Sequence, residues 1–155
     1  MANSKTLSLI GHSGTGKSSL AKKLLKISGI DGDLTFDPSQ EEQDRGYSID
    51  LGIGSFKYKN QTWNLLDTPG AEEFIEEVYK GVFTSEASLM LLDAEKGTQA
   101  HTEKVYNVAK KYDKPTAVLI NKMDQPEADF RETLSELRGQ RDEECVALPI
   151  PIDEK

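Results

Sequence analysis

The stretch Gly11-His12-Ser13-Gly14-Thr15-Gly16-Lys17-Ser18 decides how this sequence folds, because it satisfies G-x-x-x-x-G-K-[ST] at every fixed position. The residues before it, Thr6-Leu7-Ser8-Leu9-Ile10, are apolar and β-prone, and those after it, Ser19-Leu20-Ala21-Lys22-Lys23-Leu24-Leu25, repeat at helical spacing. The loop therefore joins a strand to a helix. Backbone N–H groups of such a loop wrap phosphates with the helix dipole behind them, and only glycine permits so close an approach. The expected phosphate-binding set is His12, Ser13, Gly14, Thr15, Gly16, Lys17, Ser18 and Ser19. Within it the Lys17 ammonium neutralises β and γ oxygens and the Ser18 hydroxyl ligates magnesium. A plain Gly/Ser-rich turn would also account for these residues, but not for the strand and helix on either side.

The rest of the composition narrows the function classes. A chain of 155 residues is long enough for one core and too short for several modules, so a single domain over residues 1–155 is expected. With 27 acidic against 19 basic residues the net charge is -8, which argues against direct binding to nucleic acid. The single cysteine, Cys145, cannot form an internal disulfide and reads as a buried thiol in a reducing compartment. The N-terminus runs straight into the first strand, and no apolar run nears the roughly 20 residues of a membrane span. A cytoplasmic monomer without membrane contact is expected.

Working outward from the loop, the first helix is predicted over residues 17–28, with Leu20, Leu24, Leu25 and Ile27 inward and Lys22, Lys23 and Lys26 outward. Residues 29–46 lose periodicity and gather turn formers, which predicts a mobile loop. Residues 47–58 and 62–66 read as a hairpin joined by Lys59-Asn60-Gln61, with Phe56, Tyr58 and Trp63 in the core. Next come a helix over residues 71–82, a buried strand over 89–92 and a helix over 98–112. A strand over 116–120 and a helix near 127–139 follow, and the tail over 146–152 is strand-like but broken by proline. Alternating strands and helices predict an α/β fold of the P-loop NTPase class. Its sheet is mostly parallel with one antiparallel hairpin, helices cover both faces, and the motifs lie at the carboxyl ends of the strands.

Two further motifs carry chemistry. Asp67 ends a strand before Thr68-Pro69-Gly70, where a carboxylate can hold magnesium through water and the Gly70 N–H can meet a γ-phosphate. Asn121-Lys122-Met123-Asp124 follows a buried strand. The Asp124 carboxylate can accept from both N1–H and the 2-amino group of guanine, while Lys122 lays its stem over the ring and Asn121 orients the loop. Adenine lacks the 2-amino donor and has an acceptor at N1, so such a site discriminates by about 10⁴-fold. The bland alternatives are a ligand-free Asp-Thr-Pro-Gly turn and a polar helix-capping turn. Neither explains why both follow a phosphate loop in this order.

Taken together, Gly11 to Ser18, Asp37-Pro38, Arg45-Gly46-Tyr47-Ser48-Ile49, Asp67 to Gly70 and Asn121 to Asp124 follow the order of motifs in a translational GTPase. The sequence resembles the elongation factor G family, and Gly97-Thr98-Gln99, Lys114-Pro115 and Leu148-Pro149-Ile150 extend that resemblance over nearly the whole chain. Gly14, where the main factors usually have Asp, is similar to the elongation factor G-like paralogues. The resemblance implies GTP or GDP and magnesium as ligands, with hydrolysis of GTP at the ribosome in protein synthesis. It assigns Lys17, Gly70 and Ser48 to catalysis and Ser18, Ser48 and Asp67 to magnesium. Ser48 stands at the switch position usually held by Thr, and residues 29–48 would be the first switch, ordered by γ-phosphate.

The resemblance breaks in two places. Translational GTPases usually follow Asp-Thr-Pro-Gly with a histidine that positions the attacking water; here the residue is Ala71, and alanine cannot do this. Glu72, Glu73 or an external partner could substitute, although two acids at a helix start already have a dipole reason to be there. Slow intrinsic hydrolysis is expected. The two histidines, His12 in the loop and His101 on a helix read as distant, are expected to be structural or exposed. Second, the sequence ends before the last base-contacting motif and closing helix, so a C-terminally truncated, engineered fragment is expected, with exposed apolar surface. Two other readings stay open: a non-catalytic guanine-nucleotide switch, for which Ala71 would mark lost hydrolysis, and the G domain of a ribosome-protection factor.

Overall fold

The computed structural model describes residues 4–29, 48–139 and 146. Strand β1 (Ser4–Ile10) leads through the glycine-rich loop into helix α1 (Lys17–Ile27), and strands β2 (Gly52–Tyr58) and β3 (Gln61–Asp67) follow as a hairpin. A short 3₁₀ turn (Glu72–Phe74) enters α2 (Ile75–Thr84). Strand β4 (Ala87–Asp93), helix α3 (Ala100–Lys111), strand β5 (Thr116–Asn121) and helix α4 (Phe130–Gly139) complete the described chain.

The strands lie in the order β2-β3-β1-β4-β5. Among the described strands only the β2–β3 pair is antiparallel; β1 runs parallel to β3 and β4, and β4 parallel to β5. Register sets where the chemistry collects: Leu9 pairs with Asp67, Ile10 with Met90 and Asp93 with Asn121. The carboxyl ends of β1, β3, β4 and β5 therefore finish on one rim of the sheet, where ligands bind in parallel α/β folds.

Alternation along the central strands divides two cores. Ile10, Met90 and Leu92 face α2, α3 and α4, packing with Val78, Val82, Val105, Val108, Ala109 and Leu137. Leu9, Leu65 and Leu91 face the other way onto Ala21 of α1, with Leu20, Leu24 and Phe56 at the margin. Each fully buried Val or Leu contributes about 1.5–3 kcal/mol, so these two layers carry most of the hydrophobic stabilisation. On the α1 side the partner of Leu91 on β5 is Leu119, which is 36% exposed, and Ala117 is exposed beside it.

Several local expectations need correction. Ile27 is 71% exposed, not inward: it lies two residues beyond buried Leu25, about 200° further round a helix, and Ala21 takes the core position instead. Tyr58 is 56% exposed because it pairs with Gln61 at the very tip of the hairpin, past the body of the sheet. Trp63 and Phe56 are half-buried. The hairpin turn has two residues rather than three: Lys59 (φ 48°) and Asn60 (φ 61°) both adopt the left-handed backbone that matches strand twist. β2 starts at Gly52. The segment after Gly70 opens as a 3₁₀ turn before α2. Helix α4 begins at Phe130 because Asp129 caps it, its Oδ1 accepting from the Glu132 N–H at 2.9 Å. All but Gly29 of the mobile loop predicted over 29–46, the thiol of Cys145 and the tail beyond 146 lie outside the described residues.

Candidate functional site

The phosphate loop occupies the rim above β1. At Gly16, φ is 100°, and a Cβ built there would lie 2.5 Å from Nδ2 of Asn121. The same Asn121 Nδ2 donates to the Thr15 carbonyl at 2.9 Å, so the end of β5 is fastened to the loop. Gly16→Ala is expected to lower stability by about 2–3 kcal/mol, through strained backbone and a lost hydrogen bond, and to lower nucleotide affinity with it. Urea denaturation of the variant checks the first and titration the second.

Lys17 opens α1 but points back into the loop, where its Nζ donates to the Gly11 carbonyl at 2.9 Å and the His12 carbonyl at 2.8 Å. Burial lowers its pKa from the ordinary 10.5 to about 8, and the Asp67 carboxylate opposes that shift. The residue is 5% exposed. An ammonium whose hydrogen bonds go to two carbonyl dipoles can exchange them for a stronger anion. Ser18 is half-buried, while Gly14 and Ser19 are exposed on the outer side.

The turn after β3 is pinned to the same rim. Thr68, fully buried, donates from its backbone N–H (3.2 Å) and from Oγ1 (2.7 Å) to the Leu9 carbonyl. Asp67 is 3% exposed. Gly70 packs so closely on the loop that a Cβ there would lie 2.5 Å from the Ser13 nitrogen and 2.6 Å from Lys17 Nζ. Ala71 follows, half-buried, with a methyl side chain that cannot hydrogen-bond a water. Glu72 points outward to Lys104 of α3 at 2.7 Å, and that hydrogen bond and charge hold its carboxyl below the usual range. Glu73 is exposed. Ser48, half-buried, opens the described segment leading into β2.

The Asn121-to-Asp124 loop carries one partner that the sequence did not indicate. Lys122 adopts φ 63°, and its Nζ lies 2.7 Å from Oδ2 of Asp93, which is 2% exposed at the end of β4. Burial pushes the Asp93 pKa up, but the Lys122 hydrogen bond, the Glu95 N–H and the nearby lysine charges outweigh it and hold the group below 3.8. Only the β4–β5 register, which sets Asp93 opposite Asn121, could have revealed this pair. Met123 is 40% exposed and Asp124 is also exposed, so the loop presents an open carboxylate beside a tethered lysine. Asp93→Asn is expected to weaken GDP binding by about tenfold by releasing Lys122, measurable by titration at constant magnesium.

The Gly97-Thr98-Gln99 segment instead ties α3 to α4. The Thr98 backbone N–H and Oγ1 both donate to Glu136 Oε2, at 2.8 and 3.1 Å. His101, read as distant from the loop, is in fact against it: its ring lies 6.0 Å from that of His12. Among the described residues no helix is long and apolar enough to cross a membrane.

Comparison with known proteins agrees with this arrangement. The sequence profile of the Elongation factor Tu GTP binding domain matches residues 2–147. The chain is 34% identical to the elongation factor G-like protein of Thermotoga maritima, over 98% of this chain and 23% of that protein. It is 30% identical to peptide chain release factor 3 of Buchnera aphidicola, over 98% of this chain and 31% of that protein. A crystal structure from Thermus thermophilus superposes with a TM-score of 0.81 at 28% identity, covering 88% of this chain and 22% of the other. The chain thus spans less than a third of the length of each of these two relatives. A phosphate loop, an Asp-Thr-Pro-Gly turn and an Asn-Lys-x-Asp loop on one rim, with the family profile running through all three, place this chain in the Elongation factor Tu GTP binding domain family, among the G domains of translational GTPases.

Proposed function

We propose that this chain binds GTP and GDP with magnesium and forms the front part of the G domain of an elongation factor G-like GTPase. The observation that carries this reading is the packing of three loops against one another. Gly70 sits against Ser13 and Lys17, and Asn121 is bonded to Thr15. Phosphate would lie against residues 12–19, with the Lys17 ammonium leaving its two carbonyls for β and γ oxygens. The Gly70 N–H would meet the γ-phosphate, and Asn121, Lys122 and Asp124 would hold guanine. The donors suited to magnesium are hard oxygens: the Ser18 and Ser48 hydroxyls and the buried Asp67 carboxylate, with phosphate and water completing the shell. When bound, that ion would neutralise charge on the phosphates. Lys17, Gly70 and Ser48 are the residues assigned to catalysis.

Within a longer protein the domain would hydrolyse GTP and act with the ribosome in protein synthesis, as a cytoplasmic monomer without direct nucleic-acid or membrane contact. Ala71 supports a second reading, in which nucleotide state sets a conformation for a partner without turnover. The G domain of a ribosome-protection factor would use the same site. Single-turnover hydrolysis of bound GTP separates the first two readings. Slow turnover that rises by about 10²-fold or more in Ala71→His supports the enzyme, because the missing water-positioning imidazole is restored. No turnover in either protein, with or without ribosomes, supports the switch.

A further inference from the structure

The chain contains two histidines, and the fold brings them into contact. The rings of His12 and His101 meet edge to face, with centroids 6.0 Å apart and planes at 67°. His101, at the second position of α3, is 1% exposed. Neither of its ring nitrogens has a hydrogen-bond partner among the described residues, and the same holds for Nδ1 of His12. Burying polar atoms without partners is costly, so packing alone is a poor reason for an imidazole here. On the loop side, the His12 carbonyl accepts from Lys17 Nζ at 2.8 Å and from Thr15 Oγ1 at 3.0 Å. The peptide that carries one imidazole thus also holds the ammonium that would meet phosphate.

The charged groups facing the pair come from every element around it: Lys17 from α1, Lys96 from the turn after β4, Lys104 from α3 and Glu72 from the 3₁₀ turn. Resting on the nucleotide-binding reading above, we propose that His101 is a positioning residue for the phosphate loop. It acts through His12 on the Lys17 ammonium, and the imidazole pair takes up a proton when phosphate binds. Burial and then neighbouring positive charge hold His12 below 6.5 in the free chain; His101 is also held low, by burial first, against the pull of Glu72. Phosphate at Lys17 offsets the lysine charge, so the protonated pair is favoured in the complex. Affinity then rises as pH falls through the pKa of the complex and levels off below that of the free chain.

The test measures GDP affinity by calorimetry at pH 6 and pH 8, at fixed magnesium, for the wild-type chain and His101→Gln. Titration of GDP itself is common to both proteins, so the comparison of pH slopes isolates the imidazoles. The wild type is expected to gain about three- to tenfold more affinity at pH 6 than the variant gains. NMR titration of the two wild-type imidazoles, with and without GDP, reads the same effect without a variant, and at least one midpoint should rise on binding. Equal pH slopes, or midpoints unmoved by bound GDP, overturn the proposal and leave nucleotide binding intact. Absence of GDP binding at both pH values overturns the nucleotide reading and the proposal with it.

Discussion

Lys17→Met is expected to lower GDP affinity by about 10³-fold while leaving the ligand-free chain at least as stable as the wild type. The two effects have opposite signs because the same buried ammonium is costly alone and favourable beside an anion. It is 5% exposed and held by two carbonyls, and its pKa falls to about 8. That depression corresponds to a folding penalty of about 3 kcal/mol at neutral pH. The unfolded chain binds the proton more tightly, so the penalty is complete below about pH 8 and is relieved as pH rises towards 10.5. Chemical denaturation at pH 7 and pH 10 checks this. The stability difference between Lys17→Met and wild type should shrink at the higher pH. A variant that is clearly less stable at pH 7, with unchanged affinity, would assign Lys17 to the fold and not to the phosphate.

Asp124→Asn is expected to lower GDP affinity by about 10³-fold and to raise affinity for xanthosine diphosphate. Guanine offers two adjacent donors, N1–H and the 2-amino group, and only a carboxylate accepts from both with a charge-assisted bond. An amide presents one acceptor and one donor, and xanthine, with a carbonyl in place of the 2-amino group, matches it. Asp124 is exposed in the free chain, so the substitution should leave the unfolding midpoint unchanged. Parallel titrations with the two nucleotides read the exchange. Loss of affinity for both would point to a role in loop geometry.

The parts of this fold that were legible in the sequence are those encoded by local pattern. The loop glycines and Lys17 lie between a β-prone run and a helical one, and Leu89-Met90-Leu91-Leu92 marks a strand buried on both faces. Asp67-Thr68-Pro69-Gly70 and Asn121-Lys122-Met123-Asp124 each follow such a run. From these, a mostly parallel sheet with its motifs on one rim follows without coordinates. Contacts set by strand register and helix placement were not legible. Asp93 holds Lys122 only because β4 and β5 align Asp93 with Asn121, and nothing near Asp93 in sequence announces it. His101 reaches His12 because the start of α3 packs under the loop after a turn whose course the sequence does not specify. Ile27 and Tyr58 were misplaced for a simpler reason: each is a large apolar residue at the very end of its element, where the periodic face has already turned away or the sheet has ended.

The most direct test of the account is calorimetric titration of the 155-residue chain with GDP and with ADP, each with magnesium. The three-loop site predicts GDP binding tighter than ADP by about 10³-fold or more, because Asp124 finds two donors on guanine and none in the same places on adenine. ADP binding as tightly as GDP, or no binding of either nucleotide, would contradict it.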